Sequence, residues 1–365
     1  MTSLAKDSDD DEDSDDDEDS DHDDKIPDLF YYFSRFKMML HKEMIDMDSE
    51  IQDKEGKHTM KAFDVFTMAI EYLKSETVKK LQRTLKGVDL KDIHYVLTVP
   101  AIWHDQSKMF MRKAAEKAGI QGNQLTIALE PEAASIYCQE LRTDREDQES
   151  IEFSETIKKG TKYIVVDLGG GTADITVHER QLNGSLEEVV PPSGGDWGGT
   201  AVDKAYVNFL KTVFTQKVIE QFERLELEDY TELIHQFEVK KRSIKSTTLE
   251  DIVLNMPIGL IEMVKKLCGS VEKVIIQSGF KDSVSFTAPQ RVSIKPEVFR
   301  NLFKPTIDAL IKHLVDLFKN PSLKDLKHMV MVGGFSECEL VQTALREKFS
   351  NKMKIIVPDE AGLAV

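Results

Sequence analysis

The segment Tyr163-Ile-Val-Val-Asp-Leu-Gly-Gly-Gly-Thr-Ala-Asp-Ile-Thr-Val-His178 is the most informative part of this chain. An apolar run rich in β-branched residues leads into three glycines, and a second alternating run follows them. This pattern predicts a β-hairpin whose turn is Gly169-Gly170-Gly171. Because glycines have no side chains, backbone amides at such a turn can approach an anion closely, as in a phosphate-binding loop.

Two carboxylates flank this turn. Asp167 ends the first strand and Asp174 lies in the second. Carboxylate oxygens beside phosphates are suited to holding Mg²⁺, directly or through its water molecules. The alternative is a tight hairpin with solvated acids, but a plain turn rarely needs three glycines and a Thr between two Asp.

The commoner nucleotide signatures do not fit this stretch. A P-loop requires a Lys after its last glycine, and none follows Gly171. A dinucleotide fingerprint requires a helix there, whereas residues 173–177 continue as a strand. The actin-like ATPase fold does use a strand–glycine–strand turn. The string Asp-Leu-Gly-Gly-Gly-Thr-x-Asp at 167–174 resembles the second phosphate loop of the 70-kDa heat-shock protein family.

Further motifs resemble that family, and they occur in the family's order along the chain. Residues 95–119 predict a buried strand, a Val-Pro-Ala stop and an amphipathic helix closed by Gly119. The other motifs are Ala128-Leu-Glu-Pro-Glu-Ala-Ala-Ser-Ile-Tyr137, the late turn Met331-Val-Gly-Gly-Phe-Ser336, and Pro358-Asp-Glu-Ala361. Trp103 and the segment Gly195-Asp-Trp-Gly-Gly-Thr-Ala-Val-Asp203 resemble the divergent heat shock 70 kDa protein 12 branch.

The resemblance implies an α/β chain with the actin-like ATPase fold, which has two RNase-H-like lobes, and it implies ATP or ADP with Mg²⁺ as cofactors. It implies roles for acids at the catalytic and metal site, for phosphate contacts, and for contacts to adenosine. The acids are Glu130, Asp167 and Asp174, all three acting on Mg²⁺ through water, with Lys37 as a catalytic lysine. The nucleotide contacts are Gly169, Gly170, Gly171, Thr172, Glu238, Lys241, Arg242, Gly333, Gly334 and Asp359.

This chain departs from the family in several places. Lys245 stands where the chaperones have Ser, and Phe335 and Glu337 replace the usual polar and basic contacts beside the base. Nothing before Tyr31 resembles the family's first phosphate loop, so the resemblance implies an incomplete first lobe and half of a phosphate clamp. We therefore expect weak nucleotide binding and slow or absent hydrolysis.

Composition is consistent with an intracellular protein. The 365 residues suit one bilobal unit, and the 41% hydrophobic content suffices for a core. Three cysteines without paired spacing predict reduced thiols and exclude a disulfide framework. No apolar run is long enough to span a bilayer, and the acidic start is not expected to be a signal peptide. The predicted compartment is the cytoplasm, with the nucleus as a second possibility.

The charge is concentrated at one end of the chain. Fourteen acids lie between Asp7 and Asp24, and without them the formal net charge of −17 becomes −3. Such a run predicts a disordered acidic tail over 1–25. The predicted organisation continues with an incomplete first lobe over 26–159, which holds a helix from Phe63 to Leu85. The second lobe, 160–365, carries the phosphate hairpin and a helix from Gly199 to about Phe222.

Two other classes of function stay open. One is a non-hydrolysing protein-interaction module, in which the second lobe and the tail bind proteins such as clients or co-chaperones. The other is a small-molecule kinase of the same superfold, which needs a catalytic Asp in the first lobe that the sequence does not offer. The sequence predicts neither a nucleic acid nor a membrane as a partner.

Overall fold

A computed structural model describes residues 31–42, 45–54, 56–140, 157–287, 289–358 and 362. The acidic segment 1–25, most of the predicted inter-lobe loop 142–159, and Asp359 lie outside this part of the chain. The described chain divides into two compact units. The first takes residues up to Leu97 together with Trp103–Ile127, and the second takes Thr98–Ile102 together with the residues from Ala128 onward.

The first unit is built on two long packed helices, one short helix and a short hairpin. Its helices are α1 (Met39–Lys42), α2 (Ala62–Thr84) and α3 (Asp105–Lys117), and its hairpin pairs β1 (Glu50–Gln52) with β2 (Thr59–Lys61). Phe110 on α3 meets Phe63 and Phe66 of α2 edge-to-face, with ring centroids 5.4 and 5.3 Å apart. Burial of such aromatic pairs is the main term that holds two amphipathic helices together. The helix predicted from Phe63 to Leu85 is thus confirmed within one residue at each end.

The predicted strand–Pro–helix unit is also present. Strand β3 (Tyr95–Val99) ends before Pro100, and α3 is followed by Gly119, whose φ of 80° is the left-handed conformation that glycine favours. Strand β3 pairs with β4 (Leu125–Leu129) in a two-stranded sheet. Helix α4 (Glu130–Glu140) follows β4 directly.

A five-stranded mixed sheet forms the centre of the second unit. Its order is β12-β11-β5-β6-β7, the first three strands being parallel and the last two antiparallel. The strands are β5 (Lys162–Leu168), β6 (Ala173–Arg180), β7 (Leu186–Gly195), β11 (His328–Val332) and β12 (Lys354–Ile356). The predicted hairpin of β5 and β6 around the three glycines is therefore confirmed.

Strand β5 is buried on both faces because it lies in the middle of this sheet. Ile164, Val166 and Leu168 point into the large core of the unit. Tyr163 and Val165 point the other way, into a smaller core shared with Ala134 and Cys138 of helix α4. The two-residue repeat of strand side chains explains how one apolar run serves two cores.

The rest of the second unit covers the large core with helices and a second, antiparallel sheet. That sheet has the order β8-β10-β9, from β8 (Ile252–Asn255), β9 (Val284–Thr287) and β10 (Arg291–Ile294). The helices are α5 (Gly199–Phe214), α6 (Gln216–Leu225), α7 (Leu227–Ser243), α8 (Ile258–Cys268), α9 (Val271–Gln277), α10 (Pro296–Asn301), α11 (Lys304–Leu317) and α12 (Glu339–Phe349). No helix in the described ranges has the length and apolarity needed to cross a bilayer.

One predicted helix is wrong in its extent. The prediction ran from Gly199 to about Phe222, but the structure ends α5 at Phe214 and starts α6 at Gln216. Thr215 separates them with a φ of 75°, which a right-handed helix excludes. Its hydroxyl then caps α6 by accepting a hydrogen bond from the amide of Val218 at 3.4 Å.

The contacts also divide the chain at a place other than the predicted boundary at 159/160. Helix α4 belongs to the second unit because it packs on that unit's sheet. The hydroxyls of Ser135 and Tyr163 are hydrogen-bonded at 2.6 Å beneath it. The assignment of the two units to the two lobes of the family stays a prediction.

A buried histidine lies on the same face of the sheet. His178 is 1% exposed, its Nε2 lies 2.8 Å from the hydroxyl of Thr176, and its ring is 5.9 Å from that of Tyr163. Burial lowers the pKa of His178 from 6.5 to about 4 because the charged form would lose its hydration. The folded chain therefore keeps this side chain neutral at physiological pH.

This burial predicts acid-sensitive stability. Below pH 6.5 His178 takes up a proton in the unfolded chain, whereas in the folded chain it stays neutral down to about pH 4. The free energy of unfolding is therefore unaffected by the protonation of His178 above pH 6.5 and falls as the pH drops from 6.5 to about 4. Urea unfolding at pH 7 and pH 5 should show wild type losing about 2 kcal/mol more than His178→Gln. Contributions from the rest of the chain are the same in the two proteins and cancel in this comparison. Parallel losses in the two proteins would contradict the prediction.

Candidate functional site

The start of helix α5 is hydrogen-bonded to the glycine turn. The amide of Gly169 donates to the carbonyl of Thr172 at 3.0 Å, which closes the turn. The amides of Gly199 and Thr200 donate to the carbonyls of Gly169 and Gly170, at 3.1 and 2.7 Å. The turn's carbonyls are therefore bound to the helix, and this fixes the orientation of its peptide planes.

Gly198 makes this close approach possible. A Cβ atom at Gly198 would lie 2.6 Å from the carbonyl carbon of Gly171 and 2.7 Å from the carbonyl oxygen of Gly169. At Gly170, by contrast, a Cβ atom would meet nothing within 4 Å, and this residue lines a cavity. The turn is thus closely packed on one side and open on the other.

The two aspartates lie side by side on the hairpin. Asp167 and Asp174 are directly opposite partners in the ladder of β5 and β6, so their side chains share one face. They are 3% and 1% exposed, and Asp174 Oδ1 accepts a hydrogen bond from the amide of Ile102 at 3.4 Å. The sequence-based expectation that both acids flank the turn is correct in its geometry.

The late Gly-Gly turn contacts the same place. Strand β11 runs parallel to β5 with Val332 opposite Asp167, which brings Gly333 next to that carboxylate. A Cβ atom at Gly333 would lie 2.4 Å from Asp167 Oδ1 and 2.6 Å from the carbonyl of Leu168, and its φ is 82°. Gly333 therefore packs directly against the carboxylate of Asp167, and it is Gly334 that lines the cavity.

The acid pair fits a hydrated magnesium ion. Hard carboxylate oxygens are the ligands Mg²⁺ takes, and this ion usually keeps several waters. Within the described ranges no group of three or more His, Cys, Asp or Glu side chains is placed to hold a metal directly. A Mg²⁺ ion here would therefore take most of its ligands from water and phosphate. Glu130, the third predicted acid, starts helix α4 and is 7% exposed.

A cavity of about 360 Å³ opens from the turn towards the late Gly-Gly turn and helix α7. Five of the residues predicted to contact the nucleotide line it, namely Gly170, Glu238, Lys241, Arg242 and Gly334. Six further residues complete the lining, namely Gly199, Thr200, Asp203, Phe335, Glu337 and Cys338. The pair Gly198-Gly199 after Trp197 was a signal that could have pointed to α5 as part of the site.

The basic residues of helix α7 differ in their surroundings. Lys241 is 5% exposed, and its ammonium contacts Asp203 Oδ1 at 2.6 Å, the carbonyl of Gly199 at 3.2 Å, and Glu238. Arg242 is exposed and its Nε donates to Glu238 at 2.9 Å. Burial works to raise the pKa of Glu238, but hydrogen bonds from Lys241 and Arg242 outweigh it and hold that pKa below its ordinary value.

The wall contributed by the late turn is apolar with an acid at its rim. Phe335 is 7% exposed, and its ring lies 3.6 Å from the position of a Cβ atom at Gly199. Glu337 is exposed and accepts a hydrogen bond from the amide of Gly362 at 3.0 Å. Cys338 is buried, and burial raises the pKa of its thiol, so it is a packing residue rather than a nucleophile.

The residues that line the cavity do not include Lys37. Lys37 belongs to the first unit, is exposed, and has its ammonium 5.6 Å from the ring centroid of Trp103. Its role as a catalytic lysine stays a prediction. Asp359 lies outside the described residues.

Known proteins resemble the chain over nearly its full length. Residues 33–364 match the Hsp70 protein family. Heat shock 70 kDa protein 12A of Mus musculus is 34% identical over 383 residues, and that of Homo sapiens is 34% identical over 382 residues. Human heat shock 70 kDa protein 12B is 29% identical over 383 residues. Each match covers 92% of this chain and 56% of the relative, so the chain spans about half the length of these relatives.

Proposed function

The chain belongs to the 70-kDa heat-shock protein family and has its actin-like ATPase fold, and on that premise we propose that it binds ATP or ADP together with Mg²⁺. The observation that carries the proposal is the cavity of about 360 Å³ that joins the glycine turn to helix α7. Its size falls within the range of small-molecule sites, roughly 300–1,000 Å³. Polar groups converge on it from four separate segments of the second unit, namely the glycine turn, α5, α7 and the late Gly-Gly turn.

Each part of the site has a distinct role in this proposal. The amides of Gly170 and Gly171 donate no hydrogen bond within the described residues, so they are available to phosphate oxygens. Glu238 accepts from ribose hydroxyls, and the planar guanidinium of Arg242 stacks on the base. Gly334 and Phe335 form the opposite wall.

Mg²⁺, when bound, supplies the positive charge that neutralises the phosphates. Asp167 and Asp174 fix its water molecules by accepting hydrogen bonds, and Glu130 is proposed to take part in the same shell. We propose that ATP hydrolysis is weak or lost. Phosphoryl transfer depends on positioned charge, and the candidate cation Lys37 is an exposed side chain.

The cellular role follows as a further part of the proposal. A nucleotide-dependent heat-shock-70-like protein is chaperone-related, and its partners would be client or co-chaperone proteins. Its three cysteines are free, which fits the cytoplasm or the nucleus.

Calorimetry with ADP and Mg²⁺ tests nucleotide binding. We expect a dissociation constant of roughly 0.1–1 mM, where each tenfold weakening costs about 1.4 kcal/mol. Gly170→Val should abolish the heat of binding while leaving the melting temperature near that of wild type. The new side chain would point into the cavity, and it meets no protein atom within 4 Å at its Cβ position.

Gly259→Ala is the matched control. This glycine lies in helix α8, away from the cavity, and a Cβ atom there would make an ordinary contact of 3.6 Å with Glu226. The control should bind ADP as wild type does. If wild-type protein shows no binding at millimolar nucleotide, the proposal fails and the pure protein-interaction module is favoured.

A further inference from the structure

The ammonium group of Lys241 uses all of its hydrogen-bond donors within the protein. It has three N–H donors, and three acceptors surround it: Asp203 Oδ1 at 2.6 Å, the carbonyl of Gly199 at 3.2 Å, and a carboxylate oxygen of Glu238. The side chain is 6% exposed. A ligand contact from this group would therefore require one of these internal bonds to break.

The acceptors of Lys241 lie at the start of helix α5. Gly199 and Asp203 both belong to this helix, whereas Lys241 comes from helix α7. The lysine thus ties the first turn of α5 to α7. Because its two carboxylate partners are close together, the positive charge also offsets their mutual repulsion.

The same first turn of α5 holds the glycine turn. The amides of Gly199 and Thr200 donate to the carbonyls of Gly169 and Gly170. A continuous chain of short contacts therefore runs from Lys241 through Gly199 to the peptide groups that face the cavity. A shift of α5 would move these peptide groups directly.

We propose that Lys241 is a positioning residue, which acts by holding the first turn of helix α5 against the phosphate-binding glycine turn and does not itself touch the nucleotide. This inference rests on the proposed nucleotide binding. It predicts that removing Lys241 weakens the binding of the phosphates, although this residue lies at the end of the site assigned to the ribose.

Binding of tripolyphosphate with Mg²⁺ distinguishes a positioning role of Lys241 from a direct contact to the ribose, because tripolyphosphate carries no ribose and no base. Lys241→Met should weaken the binding of both tripolyphosphate and ADP about tenfold, since misplaced donors lose most of their value. Hydrogen exchange should show faster exchange at Gly199 and Thr200 in the ligand-free variant. Arg242→Met is the matched control: it removes a neighbouring cation of the same cavity, and it should weaken ADP but leave tripolyphosphate within about threefold.

The inference is overturned if Lys241→Met weakens ADP and leaves tripolyphosphate unchanged, or if wild-type protein binds ADP but not tripolyphosphate. Asp203→Asn serves if Lys241→Met does not fold. It keeps the lysine but weakens its anchor on α5, so unchanged tripolyphosphate affinity in that variant also overturns the inference. Failure of wild-type protein to bind ADP would instead refute the proposed nucleotide binding.

Discussion

Replacing Gly333 by alanine should strongly destabilise the second unit. The added Cβ would lie 2.4 Å from Asp167 Oδ1 and 2.6 Å from the carbonyl oxygen of Leu168. Leu168 belongs to the central strand β5, which is buried on both faces and has no room to move. The φ of 82° adds backbone strain for any residue with a side chain. Together these effects should lower the free energy of unfolding by about 3 kcal/mol or more.

Gly334→Ala is the control for this substitution. It adds the same methyl group one residue later, where a Cβ atom meets nothing within 4 Å. Its free energy of unfolding should stay within about 0.5 kcal/mol of wild type. Urea unfolding followed by circular dichroism measures both variants. Equal stabilities for Gly333→Ala and Gly334→Ala would mean that the late turn does not press on strand β5.

Asp167→Asn should remove most of the enhancement that Mg²⁺ gives to nucleotide binding. The amide has the shape of the carboxylate but lacks its charge, and it offers one acceptor oxygen in place of two. Loss of a group that orients the metal's ligands typically costs 10–100-fold in metal affinity. Asp174→Asn should act in the same direction because the two acids are paired across the hairpin.

The measurement compares ADP affinity with Mg²⁺ and with EDTA for each variant. Asp316→Asn is a suitable control, since it makes the same chemical change at an exposed acid that pairs with Lys319. That control should keep the full metal effect. If Asp167→Asn loses stability but keeps the full effect of Mg²⁺ on ADP affinity, the residue is structural and the proposed metal site is wrong.

Much of the site was predictable because its signals are local. The hairpin strands, their glycine turn and the opposed aspartates follow from residues close together in sequence, where a two-residue repeat and a glycine run leave few alternatives. The strand–Pro–helix unit at 95–119 was predictable for the same reason. The break at Thr215 was not, because a threonine in the left-handed region has no sequence signature and is imposed by packing around it.

The basic residues of helix α7 also show what sequence alone does not predict, namely which side chain is buried and which is exposed. Lys241 and Arg242 are adjacent, and the sequence predicted one shared role for them. In the structure Lys241 is buried and bound to Asp203, while Arg242 is exposed. Their separation arises because successive positions on a helix face different directions.

The family, the order of the motifs and the hairpin that binds phosphate in our proposal were recognisable from the sequence, since each depends on short-range patterns of side-chain type. Which groups are open to a ligand, and which already bind other parts of the protein, depends on the three-dimensional structure. Lys241 finds two of its three acceptors 38 and 42 residues away, in Asp203 and Gly199. Gly333 meets the carboxylate of Asp167 from a different strand. Pairing and burial are properties of neighbours in space, and in a fold with crossover connections these neighbours lie far apart along the chain.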